Sequence, residues 1–182
     1  PPENCSYVLG NPPFVGKKEQ SADQKADAAL VWREAKGAGI LDYVTCWYRK
    51  AADYIQGTAI RCAFVSTNSI TQGEQVGVLW SHLFPLRLQI HFAHRTFVWR
   101  NEASGNAHVH VVIIGFGVTD VPHRQLFDYD ADGKSSVSSG TSLSRASNSS
   151  ADISDSIDSA APWMRASERR ERVERPSSWP IR

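Results

Sequence analysis

The stretch Ala59–Thr67, AIRCAFVST, is a near-continuous apolar run broken only by Arg61 and the terminal hydroxyls. A strand that is apolar on both alternating sides belongs in a parallel sheet with helices on its faces. His108–Gly117, HVHVVIIGFG, is the most strand-like run in the chain, rich in β-branched residues. Tyr7–Leu9 is short, apolar and bounded by Gly10, and reads as a buried strand end. Leu86–Ala93 alternates apolar with polar residues and reads as a fourth strand.

Between the strands the period changes. Leu41, Val44, Tyr48, Ala51 and Ile55 recur at helical spacing, with Asp42 near the start and Gly57 past the end. Gly73–Phe84 reads as a second helix, and a shorter one is predicted over Gln24–Lys36, ended by Gly37. Lys17–Lys25 is polar and reads as a mobile loop. The alternation of strands and helices predicts an α/β fold. Three or four strands with two main helices cover only part of a parallel sheet, so the pattern is that of half a domain.

The character changes near residue 130. Residues 1–130 carry all the periodic signal, and 131–182 are Ser-rich, without periodicity. That second segment reads as a disordered tail or the product of a shifted reading frame. Its SERRERVERP patch reads as solvated. A net charge of +1 does not by itself call for nucleic acid. No apolar run reaches the length of a membrane span, so a cytoplasmic, soluble chain is expected. Cys5, Cys46 and Cys62 are odd in number and lack metal spacing, and are expected as reduced, buried thiols.

The chemistry concentrates where the first strand stops, at Gly10-Asn11-Pro12-Pro13-Phe14. An exocyclic amine such as N6 of adenine is a poor nucleophile, because its lone pair is delocalised into the ring. Two acceptors, one per hydrogen, hold such a nitrogen and favour a more tetrahedral geometry. The Asn11 side-chain oxygen is one acceptor and the Pro12 carbonyl the other. Prolines fix φ and carry no N–H, so the segment is stiff and its carbonyls are free of a ladder. A residue before proline is pushed to extended geometry, which keeps the Asn11 side chain at the strand tip. Phe14 offers a π face to a base swung out of its helix. Gly10 permits close approach of a ligand. The plainer alternative is a proline-stopped strand followed by a buried ring.

NPPFVG resembles motif IV of the amino-directed DNA methyltransferases. IRCAFVSTNSITQGEQV and FAHRTFVWRNEASGNAHVHVVIIGF are similar to blocks of one branch, the large adenine-specific enzymes of restriction–modification systems. The resemblance spans about residues 3–130, in the family's order. It implies the C-terminal half of a Rossmann-like class I sheet ending in a reversed hairpin. It also implies S-adenosylmethionine as methyl donor, double-stranded DNA as partner, and N6 of a flipped adenine as acceptor. Asn11, Pro12, Pro13 and Phe14 would be catalytic. The block His94–Trp99 falls where the family has a second aromatic contact to the base, with Phe97 the first choice and Trp99 the second. Arg95, Arg100, Lys17 and Lys18 could touch phosphate, or be plain surface. His108 and His110 share a strand face, but the chemistry needs no metal. The family's glycine-rich cofactor turn is missing, for no F-x-G-x-G run occurs in the chain. Activity is therefore expected of a parent enzyme and not of these residues alone. Two other readings share some of this pattern. One is a protein glutamine N5-methyltransferase, which applies the same motif to a planar amide. The other is an inactive truncated or DNA-binding remnant.

Overall fold

A computed structural model describes residues 2–33, 35–100, 108–130 and 133–140. The elements in chain order are β1 (Tyr7–Gly10), α1 (Ala22–Trp32), α2 (Thr45–Tyr54), β2 (Arg61–Thr67), α3 (Glu74–Leu83), β3 (Gln89–Arg100), β4 (His108–Gly117), β5 (Arg124–Tyr129) and β6 (Ser135–Gly140). The strands form one sheet in the order β1-β2-β4-β3-β5-β6. β1 and β2 are parallel, and β4 runs against both β2 and β3. β3 therefore points the same way as β1 and β2, with the reversed strand between. The α/β half-sheet and its reversed hairpin are as expected.

The helices lie on one face of this sheet. Burial along β2 alternates, with Cys62, Phe64 and Ser66 inward. Their partners on β4 are Phe116, Ile114 and Val112, which are buried as well. Tyr48 of α2 sits over them, stacked on Phe116 at 5.4 Å and edge-on to Phe64 at 5.3 Å. Its hydroxyl shares a 2.9 Å hydrogen bond with Ser66, so this fully buried ring leaves no polar atom unpaired. Trp80 of α3 completes the layer and donates Nε1–H to the Ile70 carbonyl at 3.0 Å. All five residues picked out at helical spacing, Leu41 to Ile55, are buried. Cys46 and Cys62 are buried free thiols, as expected, and burial pushes them up to about 11 and about 12. Cys5 is free but only half-buried.

The other face carries no helix among the described residues. Tyr7 and Leu9 alternate onto it and are 64% and 74% exposed, so β1 is not the buried strand end expected. Only Val8 faces the core. The outer edge of β1 likewise has no partner strand among the described residues.

Several boundaries differ from the sequence reading, each for a local reason. α1 begins earlier because Ser21 and Gln24 form a capping box, in which each side chain accepts from the other's backbone N–H. It also ends earlier, at Arg33 with φ 42°, and Gly37 (φ 81°) opens the next 3-10 turn instead. β3 runs on to Arg100 because β4 pairs along it on one side and β5 on the other, with irregularities between Ile90 and Phe92 and between His94 and Phe97. β5 and β6 were not expected. RQLFDY is short and half polar, and it becomes a strand by adding to the free edge of β3. Ser135–Gly140 lies in the segment read as disordered, yet it pairs antiparallel with β5. The rest of that segment, residues 141–182, lies outside the described residues. No helix among the described residues is long and apolar enough to cross a membrane.

Candidate active site

β1 stops at Gly10 because Pro12 and Pro13 cannot donate to a ladder. The side-to-side alternation nevertheless continues: Asn11 is exposed, Pro12 buried and Pro13 exposed, with Phe14 half-buried. The Asn11 amide thus stands free at the carboxyl tip of a parallel strand, the edge where open α/β sheets bind their ligands. Gly10 has a packing reason beside the one suggested by sequence. A Cβ there would lie 3.2–3.3 Å from the Phe64 ring.

The loop beyond the motif is strapped down, in contrast to the mobile loop expected. The Val15 carbonyl accepts from Tyr43 N–H at 3.0 Å. Lys17 N–H donates to Asp42 Oδ1 at 2.9 Å, and buried Gln20 donates Nε2–H to the Leu41 carbonyl at 3.1 Å. Loop residues 15–20 therefore run along residues 41–43, ahead of α2. The Lys17 and Lys18 side chains are exposed beside the motif.

The second group of expected site residues lies on β3. The register sets Phe97 opposite Val111, and Val111 opposite Thr67. Gly10 is level with Phe64, so Phe97 is level with the Pro13 position, at the same edge of the sheet. Three strand spacings separate β1 from β3, about 14 Å. Trp99 is 40% exposed and lies 6.4 Å from the Phe97 ring. β2 and β4 lie between Asn-Pro-Pro-Phe and the two rings, which share the same edge of the sheet.

Phe97 is braced by residues the sequence reading passed over. It lies 5.3 Å from the Tyr129 ring. The Tyr129 hydroxyl bonds His94 Nδ1 at 2.6 Å, and His94 stacks on Phe127 at 4.3 Å and 7°. Burial lowers the His94 pKa, which keeps the ring neutral near pH 7. Phe127 and Tyr129 alternate within RQLFDY, and that two-residue period was the signal available for them. Arg95, a candidate for phosphate, instead pairs with Asp128 at 3.0 Å. Arg100 and His108 end the β3–β4 ladder, and His110 stands opposite Val98.

The profile of the family described as MmeI, DNA-methyltransferase domain, matches residues 2–128. The chain belongs to this family. It is 47% identical over 122 residues to DNA methyltransferase A of Bacillus subtilis (strain 168), which covers 66% of this chain and 14% of that protein. It also superposes on the structure of the type IIL restriction-modification enzyme MmeI in complex with DNA. There the TM-score is 0.74 at 52% identity, over 78% of this chain and 19% of the MmeI chain. The type IIG restriction endonuclease BpuSI shares the fold alone, with a TM-score of 0.50 at 16% identity over 70% of this chain and 16% of that one. The chain thus spans less than a fifth of either MmeI or the Bacillus protein. Membership of a DNA-methyltransferase family does not support the glutamine N5-methyltransferase reading.

Proposed function

We propose that this chain is the base-activating part of a restriction–modification DNA methyltransferase that acts on N6 of adenine. The observation that carries this reading is the exposed Asn11 amide at the tip of β1, on a proline-stiffened segment held from behind by residues 41–43. The Asn11 side-chain oxygen and the Pro12 carbonyl accept the two N6 hydrogens. Phe14 stacks on the base once it has left the duplex, and Phe97, with Trp99 beside it, meets the base from the β3 side. When bound, S-adenosylmethionine would supply an electrophilic methyl to the amine so held, its sulfonium leaving as the neutral thioether while N6 gives up one proton. The residues at the tip of β1 fit the amine; none of them forms a glycine-rich cradle for the donor. Lys17 and Lys18 lie where a DNA backbone could approach. Double-stranded DNA as substrate is supported by the family and by the DNA complex of MmeI.

The test uses the full-length protein that carries this domain. Labelled methyl is transferred from S-adenosylmethionine to duplex DNA, and the modified nucleoside is identified after digestion. N6-methyladenine is the expected product. Asn11→Ala removes one of the two acceptors proposed for the N6 hydrogens. By analogy with the loss of an oxyanion-hole donor it lowers the rate about 10²–10³-fold. Transfer by Asn11→Ala at the parent rate would mean that Asn-Pro-Pro-Phe only terminates a strand. Transfer to glutamine, or to cytosine, would overturn the substrate assignment.

A further inference from the structure

The loop carrying Asn-Pro-Pro-Phe and the loop after β2 meet at a single carboxylate. Asp42 Oδ1 accepts from Lys17 N–H at 2.9 Å. Asp42 Oδ2 accepts from Ser69 Oγ–H at 2.5 Å and from Gln75 Nε2–H at 2.9 Å. The Asp42 backbone N–H returns a bond to Gln75 Oε1 at 3.1 Å, so the glutamine amide is clamped at both ends. Ser69 spends its only hydrogen on Asp42, so it accepts from Thr67 Oγ at 2.8 Å. Thr67 is the last residue of β2, Ser69 lies in the 3-10 turn that follows, and Gln75 is in the first turn of α3. Three segments that leave the carboxyl edge of the sheet thus converge on one half-buried side chain.

This junction matters because Asn11–Phe14 lie beyond the β1 ladder. Pro12 and Pro13 have no N–H to anchor them. Among the described residues one backbone bond closes the segment on itself, Val15 N–H to the Pro13 carbonyl at 3.2 Å. Beyond the burial of Pro12, its position is held downstream, where Val15 and Lys17 are tied to Tyr43 and Asp42. We propose that Asp42 is a positioning residue for base activation: through Lys17 and Ser69 it fixes the Asn11 and Pro12 acceptors relative to the tip of β2. It touches no substrate itself. The inference rests on the proposed role of Asn-Pro-Pro-Phe.

The experiment compares Asp42→Ala, Asp42→Asn and Ser69→Ala with the parent in the full-length protein. It measures kcat, KM for DNA, affinity for S-adenosylmethionine and amide hydrogen exchange over residues 11–20. Ile55→Val, a core change far from the loops, serves as a stability control. Misplacement of reacting groups by about 1 Å can cost on the order of 10²-fold, so Asp42→Ala is expected to lower kcat by about 10–100-fold. KM for DNA and cofactor affinity should change little, and the Lys17 amide should exchange faster while β2 and β4 amides do not. Asp42→Asn keeps an acceptor for Lys17 but mismatches the Gln75 amide, so it should fall between parent and alanine. A kcat loss no greater than that of Ile55→Val at matched melting temperature overturns the proposal. If the parent transfers no methyl to DNA, the functional reading fails on its own terms. Exchange at Lys17 then still decides the anchor, and unchanged exchange in Asp42→Ala refutes it.

Discussion

At the scale of single residues, the proposed function gives Asn11 and Phe14 different work, and substitution separates them. In that reading Asn11 supplies an acceptor that counts in the transition state, and Phe14 a surface for a base that has already left its stack. Stacking of a base on an aromatic ring is worth about 1–3 kcal/mol. Phe14→Ala should therefore weaken retention of the extrahelical base by that amount, while Phe14→Trp and Phe14→Tyr keep most activity. The check is fluorescence of 2-aminopurine placed at the target position, which rises when the base is unstacked. Equal signals from Phe14→Ala and the parent would remove Phe14 from the base pocket. Gly10 illustrates how one residue answers to two demands. Its missing side chain suits a ligand, but the Phe64 ring beneath it already excludes a Cβ without adjustment.

Secondary-structure elements position these residues through their ends more than their middles. β1 contributes one core side chain, Val8, and its use lies in where it stops. α1 presents its capping box immediately after Gln20, which is itself buried against Leu41. The cap and the strap therefore hold the same short loop. Ser21→Ala should destabilise α1 by about 0.5–2 kcal/mol, the usual cost of a lost N-cap. The loss should show as faster amide exchange in the first turn of α1 and spread to Lys17–Gln20, with β4 unaffected. Exchange confined to α1 would mean that cap and strap are independent. On β3, the irregularity between His94 and Phe97 resets the register so that Phe97 reaches Val111 and the Tyr129 ring. A strand without it would turn Phe97 to the helix-covered face.

For the molecule as a whole, the dominant fact is a sheet whose helices, among the described residues, all lie on one side. α1–α3 bury the face of Phe64, Ile114 and Phe116, while Tyr7 and Leu9 on the other remain largely in water. The β1 edge, which no strand among the described residues pairs, is a template for pairing with another chain. The 182-residue chain expressed alone should therefore self-associate and bind the dye ANS. Size-exclusion chromatography with ANS titration checks this, and a monomer silent to ANS would show that the open face is satisfied in some other way. In the full-length protein the same face should be protected from the dye.

Much of this was legible in order along the chain. Apolar runs located β2 and β4, helical spacing found the buried face of α2, and Asn-Pro-Pro-Phe marked the tip of β1, because each signal is local: periodicity, or the covalent properties of proline. What stayed hidden depends on partners distant in sequence. RQLFDY offers only a short alternation and SSVSSG a single apolar residue; they become β5 and β6 because β3 offers an edge to β5 and β5 in turn to β6. Asp42 read as a helix start, since nothing local reveals that Lys17, Ser69 and Gln75 would come to it from three other segments. Tyr7 and Leu9 read as buried because composition reports hydrophobicity, whereas burial requires something to lie above. Sequence by itself determined strands β1 to β4, the buried face of α2 and the proline-stopped tip of β1. The tertiary structure decided which side of the sheet is open, how far Phe97 stands from Asn11, and which carboxylate ties the loop, because each of these is a relation between segments that only packing brings together.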